Sequence, residues 1–204
     1  MKKNSSLRML AIIALVCLAF SLGHVVAAGE WKVEVVSGDR SMVITGADAA
    51  AMKAHTMKAA FLRSTGRIDG PSAYTVIPMD TILAQVGGIN PEQAIRVTAR
   101  DGYQMVYSFA QVNGGVFTYD DKGNTLRVGG PSMLLAFESE RDSADKLPRI
   151  IYGRPDGVVI TDGHFWAKSV AKIEVIKGVE DWQISLSGSE KVWLDRATFE
   201  SIVT

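Results

Sequence analysis

Ala94-Ile-Arg-Val-Thr-Ala-Arg100-Asp-Gly-Tyr-Gln-Met-Val-Tyr-Ser-Phe109 alternates apolar and polar residues on both sides of Asp101-Gly102. Alternation with period two sends successive side chains to opposite faces of a strand, and Asp-Gly tolerates the positive φ of a tight turn. The stretch therefore predicts a β-hairpin turning at Arg100-Asp101-Gly102-Tyr103. Outward from it, residues 31–36 (Trp-Lys-Val-Glu-Val-Val) alternate in the same way and stop at Ser37-Gly38-Asp39. Residues 42–44, 60–62, 126–128, 133–137, 157–160 and 171–176 are further apolar or alternating runs of strand length.

Helical signals are fewer. Residues 48–58 (Asp-Ala-Ala-Ala-Met-Lys-Ala-His-Thr-Met-Lys) are rich in helix formers, with Met52 and Met57 inward and Thr45 or Asp48 as cap. Residues 64–72 hold Gly66, Gly70 and Pro71 and read as a loop. Met79, Ile82, Leu83 and Val86 then recur at three- and four-residue spacing between Pro78 and Gly87-Gly88, the pattern of a short amphipathic helix. Strands outnumbering helices, without regular alternation, predict a mixed, strand-rich α+β fold with a few short helices.

The amino terminus reads as a secretory leader over residues 1–28: Lys2, Lys3 and Arg8, an apolar run from Met9 to Phe20, and Val26-Ala27-Ala28 as a cleavage site. A retained anchor is the rival reading, since the run falls short of a membrane span. A lipid on Cys17 is another, although Val16 precedes it where a small residue is wanted. Cleavage predicts a periplasmic or otherwise secreted protein without thiols, because Cys17 is the only cysteine. The leader carries three basic residues and no acid, so the 22 Lys+Arg and 22 Asp+Glu of the whole chain become an acidic excess of three. That balance does not favour a nucleic-acid partner, and a membrane enters only if the leader is retained.

Residues 29–178 are expected to form the main domain, with 179–204 a strand–helix extension packed on it. The segment from Trp182 to Gly188 is similar to that from Trp31 to Gly38. It reads equally well as the start of a truncated repeat or as two similar strands ending in similar turns.

From Tyr74 onward, four pieces stand in a particular order: Tyr74-x-x-x-Pro78-Met79-x-x-Ile82-Leu83-x-x-x-Gly87; Ala99-Arg100-Asp101-Gly102-Tyr103 with Ser108-Phe109; Gly130-Pro131-x-Met133-Leu134; and Trp166-x-Lys168-x-Val170-x-x-Ile173-Glu174-Val175. In that order they resemble the molybdopterin-binding domain of the sulfite oxidase family. The resemblance implies a mixed α/β domain that buries a pterin with its molybdenum and ties the metal through one cysteine thiolate. The family's cysteine falls in the stretch that here reads Ala59-Ala-Phe-Leu-Arg63-Ser64-Thr65-Gly66-Arg67, with Ser64 or Thr65 in place of sulfur. Neutral oxygen is a poor substitute for a soft thiolate.

Candidate ligand-binding residues lie on three loops. Arg63 and Arg67 flank Ser64 and suit bidentate recognition of phosphate or carboxylate, or else are solvated loop arginines. Arg100 and Tyr103 bracket the hairpin turn, Tyr103 adding a ring for a flat heterocycle if it points inward. His164, Trp166 and Lys168 follow the turn at Asp162-Gly163, with Trp166 open to a packing role or a stacking one. No catalytic residue and no metal ligand set is assigned, His55 and His164 standing far apart. Residues 120–124 read as a hairpin turn rather than a calcium loop, and the polar run 138–146 as a solvated loop. Hydrolase and nucleotide-binding motifs are absent from the sequence.

These readings lead to an exported, non-catalytic ligand-binding protein whose ligand is a small anionic, flat, pterin-like molecule, held without a cysteine-bound metal. Two alternatives stand beside it: a molybdopterin-dependent oxidoreductase with Ser64 oxygen on the metal, and an interaction module for another envelope protein, offering residues 182–186 and 193–202.

Overall fold

The computed structural model describes residues 31–178, 183–188 and 191–195. The leader and, apart from residues 183–188 and 191–195, the extension expected over 179–204 lie outside these. In chain order the strands are β1 (Lys32–Ser37), β2 (Arg40–Thr45), β3 (His55–Leu62), β4 (Ile68–Pro78), β5 (Gln93–Ala99), β6 (Gln104–Ser108), β7 (Phe117–Tyr119), β8 (Thr125–Val128), β9 (Ser132–Ser139), β10 (Arg149–Gly153), β11 (Ile160–Asp162), β12 (Val170–Lys177), β13 (Gln183–Ser187) and β14 (Lys191–Asp195). Two short helices, α1 (Met79–Ala84) and α2 (Phe109–Val112), and brief 3-10 turns complete them.

Strand accounts for 51% and helix for 13%, so the fold is mostly β and the expected α+β class is corrected. The correction has a local cause. Residues 48–58 hold only a 3-10 turn, Ala49–Met52, after which β3 begins at His55. Met57 and Ala59 are buried on either side of exposed Lys58, Ala60 and Phe61 are buried as well, and burial along a sheet outweighs the modest helix propensity of the alanines. Residues 64–72, expected as a loop, mostly belong to β4. The β3–β4 register slips between Ala59 and Phe61, opposite Gly70-Pro71, so an irregularity in the ladder accommodates a residue without an N–H. Gly70 has φ +102°, and a Cβ there would stand 2.8 Å from the Ala59 carbonyl oxygen, so only glycine fits.

Five strands run in the order β2-β1-β12-β5-β6, and seven in the order β10-β9-β4-β3-β11-β7-β8. Pairing is antiparallel except for β1–β12 and β3–β11. Val33, Val35, Ile44, Ile95, Val97, Tyr107 and Ile173 from the first sheet join Met57, Val76, Leu135 and Ile151 from the second in one buried cluster. Met79, Ile82 and Leu83 of α1 belong to the same cluster, each such side chain contributing about 1.5–3 kcal/mol by leaving water. The opposite side of the five-stranded sheet carries a ladder of charges: Glu174 meets Arg96 at 3.1 Å and Lys172 at 3.6 Å.

The hairpin of β5 and β6 forms as expected, and the amphipathic helix is α1, entered directly from β4 at Pro78. The strand expected over 157–160 lies slightly later, as β11. The two similar segments both contain antiparallel-paired strands, β1 with β2 and, from Gln183, β13 with β14. None of the helices among the described residues is long and apolar enough to cross a membrane. The segment between β11 and β12 runs beside β10, with Ile150 N–H donating to the Ala167 carbonyl and Val170 N–H to the Pro148 carbonyl, both at 2.8 Å. It thereby carries the chain from one sheet to the other.

Candidate anion-binding site

The β3–β4 connection is a tight turn closed by two backbone bonds at 2.9 Å, Arg63 N–H to the Arg67 carbonyl and Gly66 N–H to the Arg63 carbonyl. Both arginines lean on one carboxylate. Asp69, almost fully buried on β4, accepts from Arg63 Nε and, at 2.8 Å, from Arg141 Nη2, while Arg67 Nε lies 3.4 Å away. Burial pushes the Asp69 carboxyl upward, but the hydrogen bonds and charges of Arg141 and Arg63 outweigh it and hold the group below its ordinary range. Arg63 and Arg67 are therefore fastened rather than freely solvated, though their side chains stay 46% and 74% exposed.

Deeper in, Arg149 on β10 is 1% exposed. Its Nη1 donates to Asp142 Oδ2 at 2.5 Å and its Nη2 to the Trp166 carbonyl at 3.2 Å, while Nε has no partner among the described residues. The guanidinium lies 5.1 Å from the Trp166 ring centroid and 5.6 Å from that of Phe61, and Arg141 lies 5.1 Å from the Phe61 centroid. These are cation–π distances. The Tyr74 hydroxyl donates to the same Asp142 oxygen at 3.4 Å. Burial first, and then the Asp142 charge, hold the Tyr74 phenol above its ordinary range, so it remains a donor.

Of the sequence-predicted residues, the structure gathers Arg63, Arg67, Trp166 and Lys168 around this pair of carboxylates. Trp166 is buried and its Nε1 donates to Thr161 Oγ1 at 2.9 Å, so it supports the site from beneath. Lys168 is exposed as a residue, yet desolvation lowers its ammonium below the ordinary range, with the charges of Arg149, Lys146 and Arg63 adding to the effect and Asp142 opposing it.

The Arg100–Tyr103 turn is tied to the rim. Arg100 Nη2 donates to the Asp145 carbonyl, and Arg100 N–H to the Ser169 carbonyl at 2.8 Å. Tyr103 is 51% exposed instead of facing inward. His164 is exposed on its 3-10 turn, its N–H bonded to Asp162. Ser64 sits exposed at the tip of the β3–β4 turn.

Sequence reasoning missed the loop that organises the site. The polar run 138–146, expected as a solvated loop, supplies Arg141, Asp142 and the Asp145 carbonyl, and leads into Arg149. A signal was present in Leu147-Pro148-Arg149-Ile150-Ile151-Tyr152, where a lone arginine interrupts an apolar run. Arg63, Arg67, Arg141, Arg149 and Lys168 together face Asp69 and Asp142, a formal surplus of three positive charges in a chain that is neutral overall.

Such a surplus suits an oxyanion. The position where the resemblance places sulfur holds Ser64, exposed at the turn tip. Among the described residues no group of three or more His, Cys, Asp and Glu stands ready to hold a metal ion. Comparison with models of known protein families and with curated proteins finds no match.

Proposed function

We propose that this protein is an exported, non-catalytic binder of a small anionic molecule, with a flat pterin-like phosphate as the best chemical fit. The observation that carries the reading is Arg149: a guanidinium withdrawn from water, backed by two aromatic rings, with Nε lacking an acceptor among the described residues. A buried donor left unsatisfied costs about 1–3 kcal/mol, and an oxyanion that accepts from Nε offsets that cost. Arg63, Arg67 and Lys168 supply exposed positive charge beside it, and a neighbouring negative charge raises the Lys168 ammonium back toward its ordinary range. The resemblance of residues 74–175 to molybdopterin-binding domains supports the heterocyclic part of the ligand.

Equilibrium dialysis of the purified protein against inorganic phosphate and phosphorylated pterins, with mass spectrometry of what is retained, tests the reading. Retention of the phosphorylated pterin above the unphosphorylated one, abolished by Arg149→Met, is the expected result. A folded protein that retains neither phosphate nor pterin overturns it.

A further inference from the structure

Asp142 sits where an anion is wanted. Its side chain is 6% exposed, and one of its oxygens takes Arg149 Nη1 at 2.5 Å and the Tyr74 hydroxyl at 3.4 Å. The segment bearing it is fastened by bonds that do not use this carboxylate. Ser139 Oγ accepts the N–H groups of Arg141 and Asp142 at 3.0 Å each. Glu140 and Ala73 exchange two bonds, Glu140 N–H to the Ala73 carbonyl at 3.2 Å and Ala73 N–H to Glu140 Oε1 at 2.8 Å. At the far end Ser169 Oγ donates to the Asp145 carbonyl at 2.6 Å and Ser169 N–H to the Lys146 carbonyl at 3.0 Å. Between these fastenings, Ser143 and Ala144 are exposed.

Resting on the anion-site reading above, we infer that Asp142 is an internal competitor for the anion, held over Arg149 by a strap of residues 139–147. The aspartate keeps the buried guanidinium paired when no ligand is bound, since an uncompensated charge there is strongly destabilising. Because its carboxylate satisfies Nη1 and leaves Nε without an acceptor among the described residues, it is a partial substitute for a tetrahedral oxyanion, which brings more acceptor oxygens. Ligand binding is then an exchange of one anion for another. The strap sets affinity by how firmly it presents Asp142.

The test measures inorganic phosphate binding by calorimetry and by thermal shift at constant ionic strength, with chloride as the control. Asp142→Asn keeps the shape and removes the charge, and is expected to tighten phosphate binding by about tenfold, since close charge pairs at such sites couple strongly. Ser139→Ala loosens the strap without changing any charge, and is expected to tighten binding by about threefold, guarding against a poorly folded Asp142 variant. Arg149→Met in the Asp142→Asn background removes the gain. Equal phosphate affinity in the wild type and both variants overturns the competitor role and leaves the anion site standing. Binding by none of the folded proteins overturns both.

Discussion

The Arg149 guanidinium rests 5.1 Å from the centre of the Trp166 ring and donates at 3.2 Å to the carbonyl of that same residue. One residue thus supplies both a face and an acceptor to a cation with no access to water. Trp166 is itself held by Thr161, fully buried on β11. Trp166→Phe keeps a ring and the carbonyl but leaves Thr161 Oγ1 without its donor, an expected cost of about 1–3 kcal/mol in urea denaturation. Thr161→Val should cost a similar amount, and the double variant less than the sum, because the two residues share one bond.

Replacing Arg149 tests the buried pair from the other side. Arg149→Met strands the Asp142 carboxylate and is expected to cost about 3–5 kcal/mol, measured by thermal or chemical unfolding. Adding Asp142→Asn to Arg149→Met should recover part of that loss, since no buried charge then lacks a partner. Arg149→Lys should not rescue, because an ammonium cannot bond Asp142 and the Trp166 carbonyl while lying flat on the ring.

Asp69 sets an acid-range expectation. Its carboxyl is held below its ordinary 3.8 in the folded state, so the unfolded chain binds its proton first as pH falls. The stabilisation is complete above the ordinary carboxylate range and is lost progressively as pH drops through the lower native value. Asp69→Asn should lower stability at neutral pH and flatten the stability curve as pH falls below the ordinary carboxylate value of 3.8. A wild-type curve no steeper than that of the variant over this range counts against the three-arginine arrangement.

Lys168 is the fourth case. Its lowered ammonium means a larger fraction of free amine at mildly alkaline pH, so acylation by an amine-reactive ester should reach Lys168 before Lys53 or Lys58. Phosphate at saturating concentration should slow that reaction selectively by reinstating the charge. Peptide mapping by mass spectrometry reads both effects.

Local pairing was legible in the sequence wherever one face of a strand meets water. Ala94 to Phe109 and Trp31 to Val36 alternate because their sheet is wet on one side; the hairpin read at Arg100–Tyr103 forms, and the strands read at 31–36 and 42–44 pair with each other. The pattern fails where both sides are covered: Arg149–Gly153 is buried at every position and carries no alternation to detect. It fails again where β3 begins at His55, because the alanines, Met52 and Lys53 just before it and Met57 and Lys58 within it favour a helix locally and the sheet overrides them.

The site divides along the same line. Arg63, Arg67 and Lys168 were recognisable as charges on loops, while Trp166 was open to either role and proved to be packing. Arg141, Asp142 and Arg149 escaped because a polar run reads as solvated unless its partners are known. Those partners, Asp69, Tyr74 and Trp166, lie far off in the chain. Tyr103 and His164 are exposed, since the turns that present them direct them outward.

The order β2-β1-β12-β5-β6 puts the latest of these strands at the centre. As the chain is made or threaded outward, two hairpins exist early, each with a bare inner edge and nothing between them. Only when Val170–Lys177 arrives do both edges close at once, on one side in parallel register with β1 and on the other antiparallel to β5. Cooperativity in this half of the molecule is thus concentrated in a single late insertion, and loss of that strand alone separates the sheet into two unsupported ribbons.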